Sequence, residues 1–539
     1  MASALVTCLL VLVILPSSTV SSSSSNASAT TMNASSAKSI QALCQTTPYP
    51  AACLDSLKLS VSITIDPSVL SLALRSLQAA ISEATKLSSL LSSAGHAGAL
   101  VESQRSSLRD CRDLHQITAA SLQRSAGLVE PDARKLADAR AYLSAALTNR
   151  ATCLEGLTGA RGPLKDTLVD SWIASYAHVS NSLSLVTRSG GRIGRRLSSS
   201  YSHRSSQGRG FPAWVGRRER RLLQDGDYGE VDPASVVTVA PDGTGNFTTV
   251  AEAVAWAPSY YDDRTIILVR AGVYEENVEI PGDKTNIVLI GDGRDVTVIR
   301  GHRSVGDGWT TFASATVGEI ICYPNVAGPA KGQAVALRVN ADLVALYRCA
   351  IDGHQDTLYV HSFRQFYREC DIFGTVDFIL GNAAVVFQGC NIVAKRPASG
   401  QYNVITAQSR DDPNEDTSIV IQNCTILASD ELASGNQVEV KTFLGRPWAI
   451  YSTTVYMESY MDGLVYPAGW VEWSGDQGLD TLYYGEYMNS GPGSATDSRV
   501  TWPGYHVMDY DDAYSFTVSQ FIDDGEWLES TAFPYDNGV

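Results

Sequence analysis

Two aspartates occupy the same position in consecutive copies of a 21-residue repeat, within the segment LYRCAIDGHQDTLYVHSFRQFYRECDIFGTVDFILG, residues 346–381. They are Asp356 and Asp377, and each follows a cysteine by seven residues and a glycine by three. If the copies stack, equivalent residues lie about 4.8 Å apart, the spacing of paired strands. Two carboxylates that close do not both ionise readily, so one keeps its proton near neutral pH. A carboxylic acid beside a carboxylate is the pair that acid–base and nucleophilic catalysis require.

These copies belong to a longer series that predicts stacked coils. Cys349, Cys370, Cys390 and Cys424 are separated by 21, 20 and 34 residues, and each has isoleucine two positions later. Short runs such as NIVLIGDG and SIVIQNCTI are rich in β-branched residues and are typical of strands. A repeat of about 20 residues without helices predicts an all-β right-handed parallel β-helix over residues 234–530. The 34-residue interval requires an insertion loop.

The spacing leaves two interpretations of the aspartates open. They form either a catalytic pair or a ladder whose carboxylates only accept hydrogen bonds from turns, and the repeat does not distinguish between these. The stacked cysteines carry separate information, because one strand spacing also suits the Cα separation of a disulfide.

Residues 38–188 have a different pattern, which predicts an all-α bundle. In SLALRSLQAAISEATKLSSLLSSA and ADARAYLSAALTNRATCLEGL, apolar residues recur every three or four positions among many Ala, Leu and Arg residues, as in amphipathic helices. This part contains Cys44, Cys53, Cys111 and Cys153. We therefore expect a small helical bundle that is stapled by disulfides.

The N-terminal residues predict export from the cell. Residues 1–22 contain an apolar run that is too short to span a bilayer and is followed by small polar residues. We interpret them as a signal peptide rather than a membrane anchor, and no other stretch is long and apolar enough to cross a membrane. Export permits disulfides. Without Cys8 the exported chain has nine cysteines, an odd number, so at least one is unpaired.

Residues 189–233 predict a solvated linker between the two parts. The stretch SGGRIGRRLSSSYSHRSSQGRG is rich in Ser, Gly and Arg, and such compositions do not form a packed core. The linker ends near the dibasic sequence Arg220-Arg221-Leu222-Leu223. Exposed dibasic sites in flexible segments are ready protease targets, although the linker could simply be basic.

The net charge of −16 divides unevenly along the chain. Residues 1–223 contain 24 Lys+Arg and 13 Asp+Glu, a net charge of +11, whereas residues 224–539 contain 17 and 44, a net charge of −27. The two parts should attract each other before they are separated. The acidic part is not suited to binding nucleic acid or to holding a polyanion tightly.

Five ordered segments resemble those of plant pectinesterases that carry an inhibitor-like pro-region. The segments are Gly272-x-Tyr274-x-Glu276, Gln333-Ala-Val-Ala-Leu337, Gln355-Asp-Thr-Leu358, Asp377-Phe-Ile-Leu-Gly381 and Leu444-Gly-Arg-Pro-Trp448. The resemblance covers nearly the whole chain, because residues 38–188 resemble the pectinesterase-inhibitor fold, a four-helix bundle with an N-terminal hairpin. It implies an esterase that removes methyl groups from homogalacturonan without a metal or a cofactor.

The resemblance also implies a role for each matching residue. Asp377 would attack the ester carbonyl, and Asp356 would protonate the departing methanol and then activate water. Gln333 and Gln355 would stabilise the oxyanion through their amide N–H groups. Arg446, a fixed cation, would keep Asp377 ionised and oriented.

Further matches concern substrate binding, cross-links and processing. Thr311 and Trp448 would contact the substrate, with the indole offering a flat face to a sugar. The implied disulfides are Cys44–Cys53, Cys111–Cys153 and Cys370–Cys390. A subtilisin-like protease would cut at Arg220-Arg221-Leu222-Leu223. His354 and His361 flank the aspartates, but we interpret them as scaffold.

Two departures from the family pattern bear on activity. Leu380 replaces a usual phenylalanine and so removes an aromatic surface near the substrate groove. The segment GEIICYPNVAGPAKG, residues 318–332, is about eight residues shorter than is normal and lacks a strand, which would leave one coil incomplete near Thr311 and Gln333. Cys322 lies in this segment and is the candidate for the unpaired thiol. The alternative function is therefore a catalytically impaired pectin-binding protein or the precursor of an inhibitor domain.

Other enzyme classes fit less well. A polygalacturonase does not require these Gln, Asp and Arg segments, a pectate lyase usually needs a calcium-binding carboxylate cluster, and no Gly-x-Ser-x-Gly nucleophile elbow is present. The sequence therefore predicts a protein secreted to the cell wall that demethylates homogalacturonan. Its expected partners are methyl-esterified homogalacturonan, the processing protease, and its own pro-domain or a separate pectinesterase inhibitor, with no nucleic acid and no membrane after signal removal.

Overall fold

The computed structural model describes residues 34–58, 68–94, 102–158, 163–189, 236–316, 323–434, 440–522, 527–531 and 533–539. The predicted signal peptide, the linker with its dibasic sequence and Cys322 lie outside these residues. The described chain forms an all-α part followed by an all-β part. Within these ranges, no helix has the length and hydropathy needed to span a membrane.

Eleven α-helices occur in the described residues, six of them in the N-terminal part. They are α1 (Ala34–Gln45), α2 (Pro50–Lys58), α3 (Val69–Ala94), α4 (Glu102–Ala126), α5 (Ala133–Gly156), α6 (Pro163–Ser189), α7 (Val250–Trp256), α8 (Asp430–Ser434), α9 (Tyr510–Tyr514), α10 (Val518–Phe521) and α11 (Trp527–Thr531). Helices α3 to α6 form the four-helix bundle, and α1 and α2 form the hairpin that precedes it.

The bundle is held by an apolar core and two disulfides. Buried leucines from α3, α4 and α5 meet Trp172 of α6 in one cluster. Asp132 caps α5, because its carboxylate accepts hydrogen bonds from two backbone N–H groups of the first turn at 3.0 Å, which stabilises a helix start. The disulfides are Cys44–Cys53 and Cys111–Cys153, the pairs that the resemblance implied.

The C-terminal part contains 23 short strands. They are β1 (Val236–Val239), β2 (Thr265–Val269), β3 (Gly272–Glu275), β4 (Ile287–Gly291), β5 (Thr297–Arg300), β6 (Tyr323–Pro324), β7 (Leu337–Asn340), β8 (Val344–Tyr347), β9 (Ala350–Asp352), β10 (Leu358–Ser362), β11 (Arg364–Arg368), β12 (Asp371–Gly374), β13 (Ile379–Gly381), β14 (Ala384–Gln388), β15 (Asn391–Ala394), β16 (Asn403–Gln408), β17 (Ser418–Gln422), β18 (Thr425–Ala428), β19 (Thr442–Gly445), β20 (Thr453–Met457), β21 (Tyr460–Met461), β22 (Tyr483–Tyr487) and β23 (Tyr505–Val507).

Every strand pairing is parallel, and each pairing joins one coil to the next, so the strands form a right-handed parallel β-helix. Three long sheets line its faces: β7-β10-β13-β16-β19, β8-β11-β14-β17-β20-β22-β23 and β6-β9-β12-β15-β18-β21. Inward-facing aliphatic and aromatic side chains fill the interior between these sheets. The fold class predicted from the repeat is therefore confirmed.

The predicted disulfide Cys370–Cys390 is wrong, since both residues are free thiols and are buried. The register does stack Cys349, Cys370, Cys390 and Cys424 on successive coils. In-register side chains point the same way, however, so their Cβ atoms stay about one strand spacing apart, whereas a disulfide requires about 3.8 Å. The thiols instead lie against backbone carbonyls of the preceding coil, as Cys390 Sγ does against Tyr367 O at 3.5 Å.

In the described residues, one face of the β-helix has a gap in its strand pairing, beside the segment that we expected to be short. The sheet β1-β2-β4 ends at β4, and the large sheet begins at β8, with no pairing between them in the part of the chain described. The other two faces continue, through β6 paired with β9 and through a parallel bridge between Gln333 and Gln355. Among the described residues, this coil is therefore paired on two of its sides, and no strand is described on the third.

The C-terminal tail crosses the outside of the large sheet toward the interruption. Gln422 of β17 donates a hydrogen bond to Gly538 O at 2.7 Å, and the ring of Phe533 stacks on Tyr347 of β8 at 5.2 Å. Beyond the gap, the side chain of Arg264, next to β2, donates to Ser530 O at 2.7 Å. The tail and α11 therefore contact the chain on both sides of the interrupted face.

Candidate active site

The register brings the two aspartates of the repeat to equivalent points of consecutive coils. Leu358 pairs with Ile379, so Asp356 and Asp377 each lie two residues before a matched pair. The backbone N–H of Asp356 donates to Val376 O at 3.0 Å. Both aspartates have a left-handed backbone conformation, with φ of 60° and 50°, which Asp tolerates better than most residues. This turn directs both side chains out of the coil into a common cavity.

Two glycines allow the close packing, within a coil and between neighbouring coils, that builds this corner. A Cβ on Gly374 would lie 2.1 Å from Phe378 Cβ, directly beside Asp377. A Cβ on Gly445 would lie 2.3 Å from Thr406 Oγ1, directly before Arg446. Both distances are far below any real carbon contact, so the strands could not reach this geometry with a larger residue at either position.

Arg446 forms a two-point ion pair with Asp377. Its Nε donates to Asp377 Oδ1 at 2.8 Å, and a terminal nitrogen donates to Oδ2. The guanidinium also lies over the ring of Trp473, 4.4 Å from the centroid, and Trp473 stacks on Trp448. A fork-to-fork contact fixes the carboxylate in one orientation, and the aromatic face below fixes the guanidinium.

All seven residues that the resemblance assigned to catalysis or substrate binding line one cavity of about 400 Å³. They are Thr311, Gln333, Gln355, Asp356, Asp377, Arg446 and Trp448. Thr311 and Gln333, which lie on either side of the segment that we expected to be short, therefore both line the site. Leu380 lines the same cavity and is buried beside the bundle. In the described residues, no group of three or more His, Cys, Asp or Glu side chains is arranged to hold a metal.

The two carboxyl groups have unequal proton affinities. Burial, followed by the charge of Asp377, raises the pKa of Asp356 well above its ordinary value. Burial also raises the pKa of Asp377, but the hydrogen bond and charge of Arg446 oppose that rise. When one proton is shared between the two, it therefore resides on Asp356, and Asp377 is the ionised partner.

Gln333 and Gln355 lie on adjacent coils at the edge of the cavity. They form a parallel bridge, and the next residue, Ala334, donates its N–H to Gln355 O at 3.1 Å. Neither side-chain amide has a hydrogen bond to another described residue. Both amides line the cavity that holds the aspartates, so their N–H groups are available to an oxygen atom bound there.

The helical bundle covers this cavity. Thr152 of α5 hydrogen bonds with His361 Nε2 at 2.9 Å, and Asn382 Nδ2 donates to Thr148 Oγ1 at 2.8 Å. Five residues of the bundle also line the cavity: Ser107, Asp110, Thr152, Glu155 and Gly156. The bundle core also continues into apolar residues of the β-helix next to the site. The predicted catalytic residues are thus enclosed between the two parts of the chain.

Ion pairs surround the covered cavity, with both signs of charge on both sides. Arg140 of α5 pairs with Asp416 at 3.1 Å, and Arg364 of β11 pairs with Asp138 of α5 at 2.8 Å. The opposite net charges of the two parts predicted attraction, but these contacts also include a cation of the acidic part. Local pairing, rather than net charge alone, therefore holds the bundle here.

Sequence reasoning missed several residues that build the site. Trp473 lies in none of the five family segments, although a tryptophan in an exposed turn late in the β-helix is a recognisable sign of a functional site. Tyr359 is buried between His361 and Trp448. His361 is buried, and burial lowers its pKa well below the ordinary value. It therefore serves as a neutral hydrogen-bonding partner of the bundle.

The geometry defines a β-helix with an acid–carboxylate pair under an inhibitor-like bundle. Residues 236–526 match the family model described as Pectinesterase, and residues 38–185 match the one described as Plant invertase/pectin methylesterase inhibitor. The chain belongs to the pectinesterase family.

Particular relatives match over nearly the whole length. The chain is 58% identical over 514 residues to "Probable pectinesterase/pectinesterase inhibitor 12" of Arabidopsis thaliana, covering 93% of this chain and 94% of that protein. It is 42% identical over 513 residues to "Pectinesterase 2" of Citrus sinensis, covering 94% and 96%. Among solved structures, pectin methylesterase from carrot is 50% identical, with a TM-score of 0.56, and covers 58% of this chain and 100% of its own.

Proposed function

We propose that this protein hydrolyses the methyl esters of pectin, giving methanol and free galacturonate carboxylates, with Asp377 as nucleophile and Asp356 as acid and base. The family and its relatives support the reaction. The single observation that carries the residue roles is the pair of stacked aspartates in one cavity, of which only Asp377 is bound by an arginine. No comparison favours the alternative, a binding protein without catalytic activity.

The first half-reaction forms an acyl-enzyme. An Asp377 oxygen attacks the ester carbonyl carbon, and the carbonyl electrons move onto oxygen, where the amides of Gln333 and Gln355 stabilise the charge. The intermediate collapses as the bond to the methoxy oxygen breaks. Asp356 transfers its proton to that oxygen, so methanol leaves, Asp356 becomes a carboxylate and Asp377 is left in an anhydride with the sugar acid.

The second half-reaction restores the enzyme. Asp356, now charged, takes a proton from a water molecule, whose oxygen attacks the carbonyl carbon of the anhydride. Collapse of this second intermediate breaks the bond to Asp377, which leaves as a carboxylate paired with Arg446. Arg446 opposes the rise that burial causes in the pKa of Asp377, and so favours Asp377 both as the ionised nucleophile and as the leaving group.

The precursor is inactive in this proposal until the bundle departs. Contacts of Thr152 and Asn382 hold the bundle over the cavity, and a pectin chain cannot reach an enclosed nucleophile. We expect secretion after removal of residues 1–22, cleavage at Arg220-Arg221-Leu222-Leu223 by a subtilisin-like protease, and action in the cell wall. Released residues 38–188 would then be a separate inhibitor.

The function is tested with residues 224–539 and highly methyl-esterified pectin. The carrot enzyme is matched over its full length by 58% of this chain, and the Pectinesterase family model matches residues 236–526, so we expect the fragment to fold. Methanol should be released and pectin chain length should stay constant. Chain shortening without methanol would indicate a glycosidase. Binding to pectin with neither product would indicate the non-catalytic alternative.

Latency of the uncut precursor should be greater at acidic pH. Burial raises the pKa of Asp110 from its ordinary 3.8 to about 6, and raises that of Asp411 also to about 6. Asp110 accepts a hydrogen bond from Thr310 across the interface, and Asp411 lies 3.9 Å from Arg150 of the bundle. Carboxyls whose pKa is raised by docking bind protons as the bundle docks, so docking weakens as pH rises from about 4 through about 6.

The measurement is the ratio of methanol release by cut and uncut protein between pH 4.5 and 7.5. We expect the ratio to fall as pH rises. Asp110→Asn keeps an acceptor for Thr310 but cannot titrate, and should flatten the profile. A ratio that increases with pH in the parent protein would contradict the proposed coupling between carboxyl protonation and docking of the bundle.

A further inference from the structure

Three aromatic rings and a lysine form a second surface beside the covered cavity. The register pairs Asn403 with Thr442 and Thr442 with Val465, so Tyr402, Phe443 and Tyr466 come from three successive coils. Tyr402 and Phe443 meet at 5.4 Å, and Phe443 and Tyr466 at 5.3 Å, in tilted or edge-to-face contact. We call these three residues and Lys441 the aromatic platform.

The platform is accessible and carries polar groups that point to a ligand. Phe443 is 6% exposed and forms its base, whereas Tyr402 and Tyr466 are 37% and 36% exposed. Lys441 Nζ lies 4.4 Å from the centre of the Tyr466 ring. Lys441 forms no ion pair with any described residue, although the part of the chain from residue 224 has a net charge of −27. A cation over an aromatic face, without an ion-pair partner among the described residues, favours a single carboxylate at this point, even though the net charge of the domain opposes tight binding of a polyanion.

The platform lies near the cleft that holds the candidate nucleophile, although its four residues do not line that cavity. Arg446 directly follows β19 and lies three residues after Phe443, roughly 10 Å along an extended chain. Burial lowers the pKa of Arg446, but Asp377, and to a lesser extent the Tyr402 phenol, outweigh it and raise that pKa overall, as expected if the phenol lies near the guanidinium. A polymer bound at the reacting carbonyl therefore passes the platform within a few sugar units.

The bundle leaves the platform uncovered. Its contacts fall on the C-terminal side of strands β10, β13 and β16, at His361, Asn382 and Asp416. The platform lies at the N-terminal ends of β16 and β19. In the ranges that the structure describes, the bundle makes no hydrogen bond, ion pair or ring contact with the aromatic platform.

We propose that the aromatic platform is an accessory binding site for a de-esterified galacturonate unit of the pectin chain, with the tyrosine rings against the sugar face and Lys441 on its carboxylate. This inference rests on the proposed function. It adds that the uncut precursor binds pectin while its catalytic cavity is closed, so that the latent protein is already attached to its substrate when it is cut.

Binding to the full-length chain tests the platform directly, because the platform is open in the precursor. The probes are a fully de-esterified oligogalacturonate of about ten units and its fully methyl-esterified counterpart, measured by calorimetry at low salt. Tyr466→Ala should weaken binding of both probes about tenfold, since stacking does not depend on charge. Lys441→Gln should weaken binding of the acidic probe about threefold to fivefold, as an exposed ion pair does, and leave the esterified probe unchanged.

Controls separate this inference from the proposed function. Tyr510→Ala removes an exposed tyrosine far along the chain and should bind like the parent, and thermal midpoints verify that each variant folds. In cut protein, Tyr466→Ala should raise KM for long pectin with little change in kcat. If the parent releases methanol but Tyr402→Ala, Tyr466→Ala and Lys441→Gln all bind both probes normally, the platform is overturned and the esterase stands. If the parent binds through the platform but releases no methanol, the esterase fails instead.

Discussion

Replacement of Asp377 by asparagine should reduce methanol release about 10⁴-fold or more, the scale seen when a covalent nucleophile is removed. The amide has the size of the carboxylate but cannot attack the ester carbonyl. Arg446 pairs with Asp377 at 2.8 Å and keeps one acceptor oxygen in the variant. The loss should therefore fall on kcat, measured with residues 224–539 and esterified pectin, while the KM changes much less.

Asp430→Asn is the matched control, because Asp430 is an exposed aspartate at the start of a short helix of the same domain. It should keep full activity. The thermal midpoint and circular dichroism of Asp377→Asn should show a folded β-helix. A folded Asp377→Asn protein that retains more than a tenth of the parent rate would assign the nucleophile to another residue.

Cleavage of the linker should increase methanol release about 100-fold at nanomolar protein. A tethered partner has an effective concentration of about 1 mM, so a docking constant of about 10 µM would leave about one precursor in a hundred open. After the cut, dilution well below that constant lets the bundle dissociate. The bundle contacts that enclose the cavity, from Thr152 and Thr148, are lost together.

Two variants keep this expectation testable without the protease. Thr152→Arg puts a large side chain into the contact with His361 and should make the uncut precursor active. Thr85→Arg, on an exposed position of α3, should leave it latent. Equal methanol release by folded, uncut and cut parent protein would exclude a covering role for the bundle.

The repeat in the sequence predicted the coil, and the coil predicted which residues meet. Asp356 and Asp377 are equivalent because each coil there has the same length, and the φ values of 60° and 50° follow from the same corner. Gln333 and Gln355 stack for the same reason. The family segments added Arg446, which comes from two coils further along and has no counterpart in the repeat.

Other features depend on the direction of side chains or on irregular loops, and the length of the sequence repeat describes neither of these. One strand spacing suits the Cα atoms of a disulfide, but the parallel side chains of Cys370 and Cys390 leave both thiols free. Trp473 and Tyr466 follow insertions of unequal length, so no fixed interval from the aspartates finds them. The docked bundle uses single polar residues of α5, and the net charges of the two parts do not identify them.

The gap in strand pairing beside β4 lies next to contacts made by residues far along the sequence, Ser530 and Phe533. In the middle of the domain the coils pair along three sheets, but between β4 and β8 the described residues are paired on only two faces. Ser530 contacts Arg264 on one side of this gap, and Phe533 contacts Tyr347 on the other side. The contacts made by residues 530 and 533 therefore connect strands on both sides of this gap and stabilise the first strands of the β-helix.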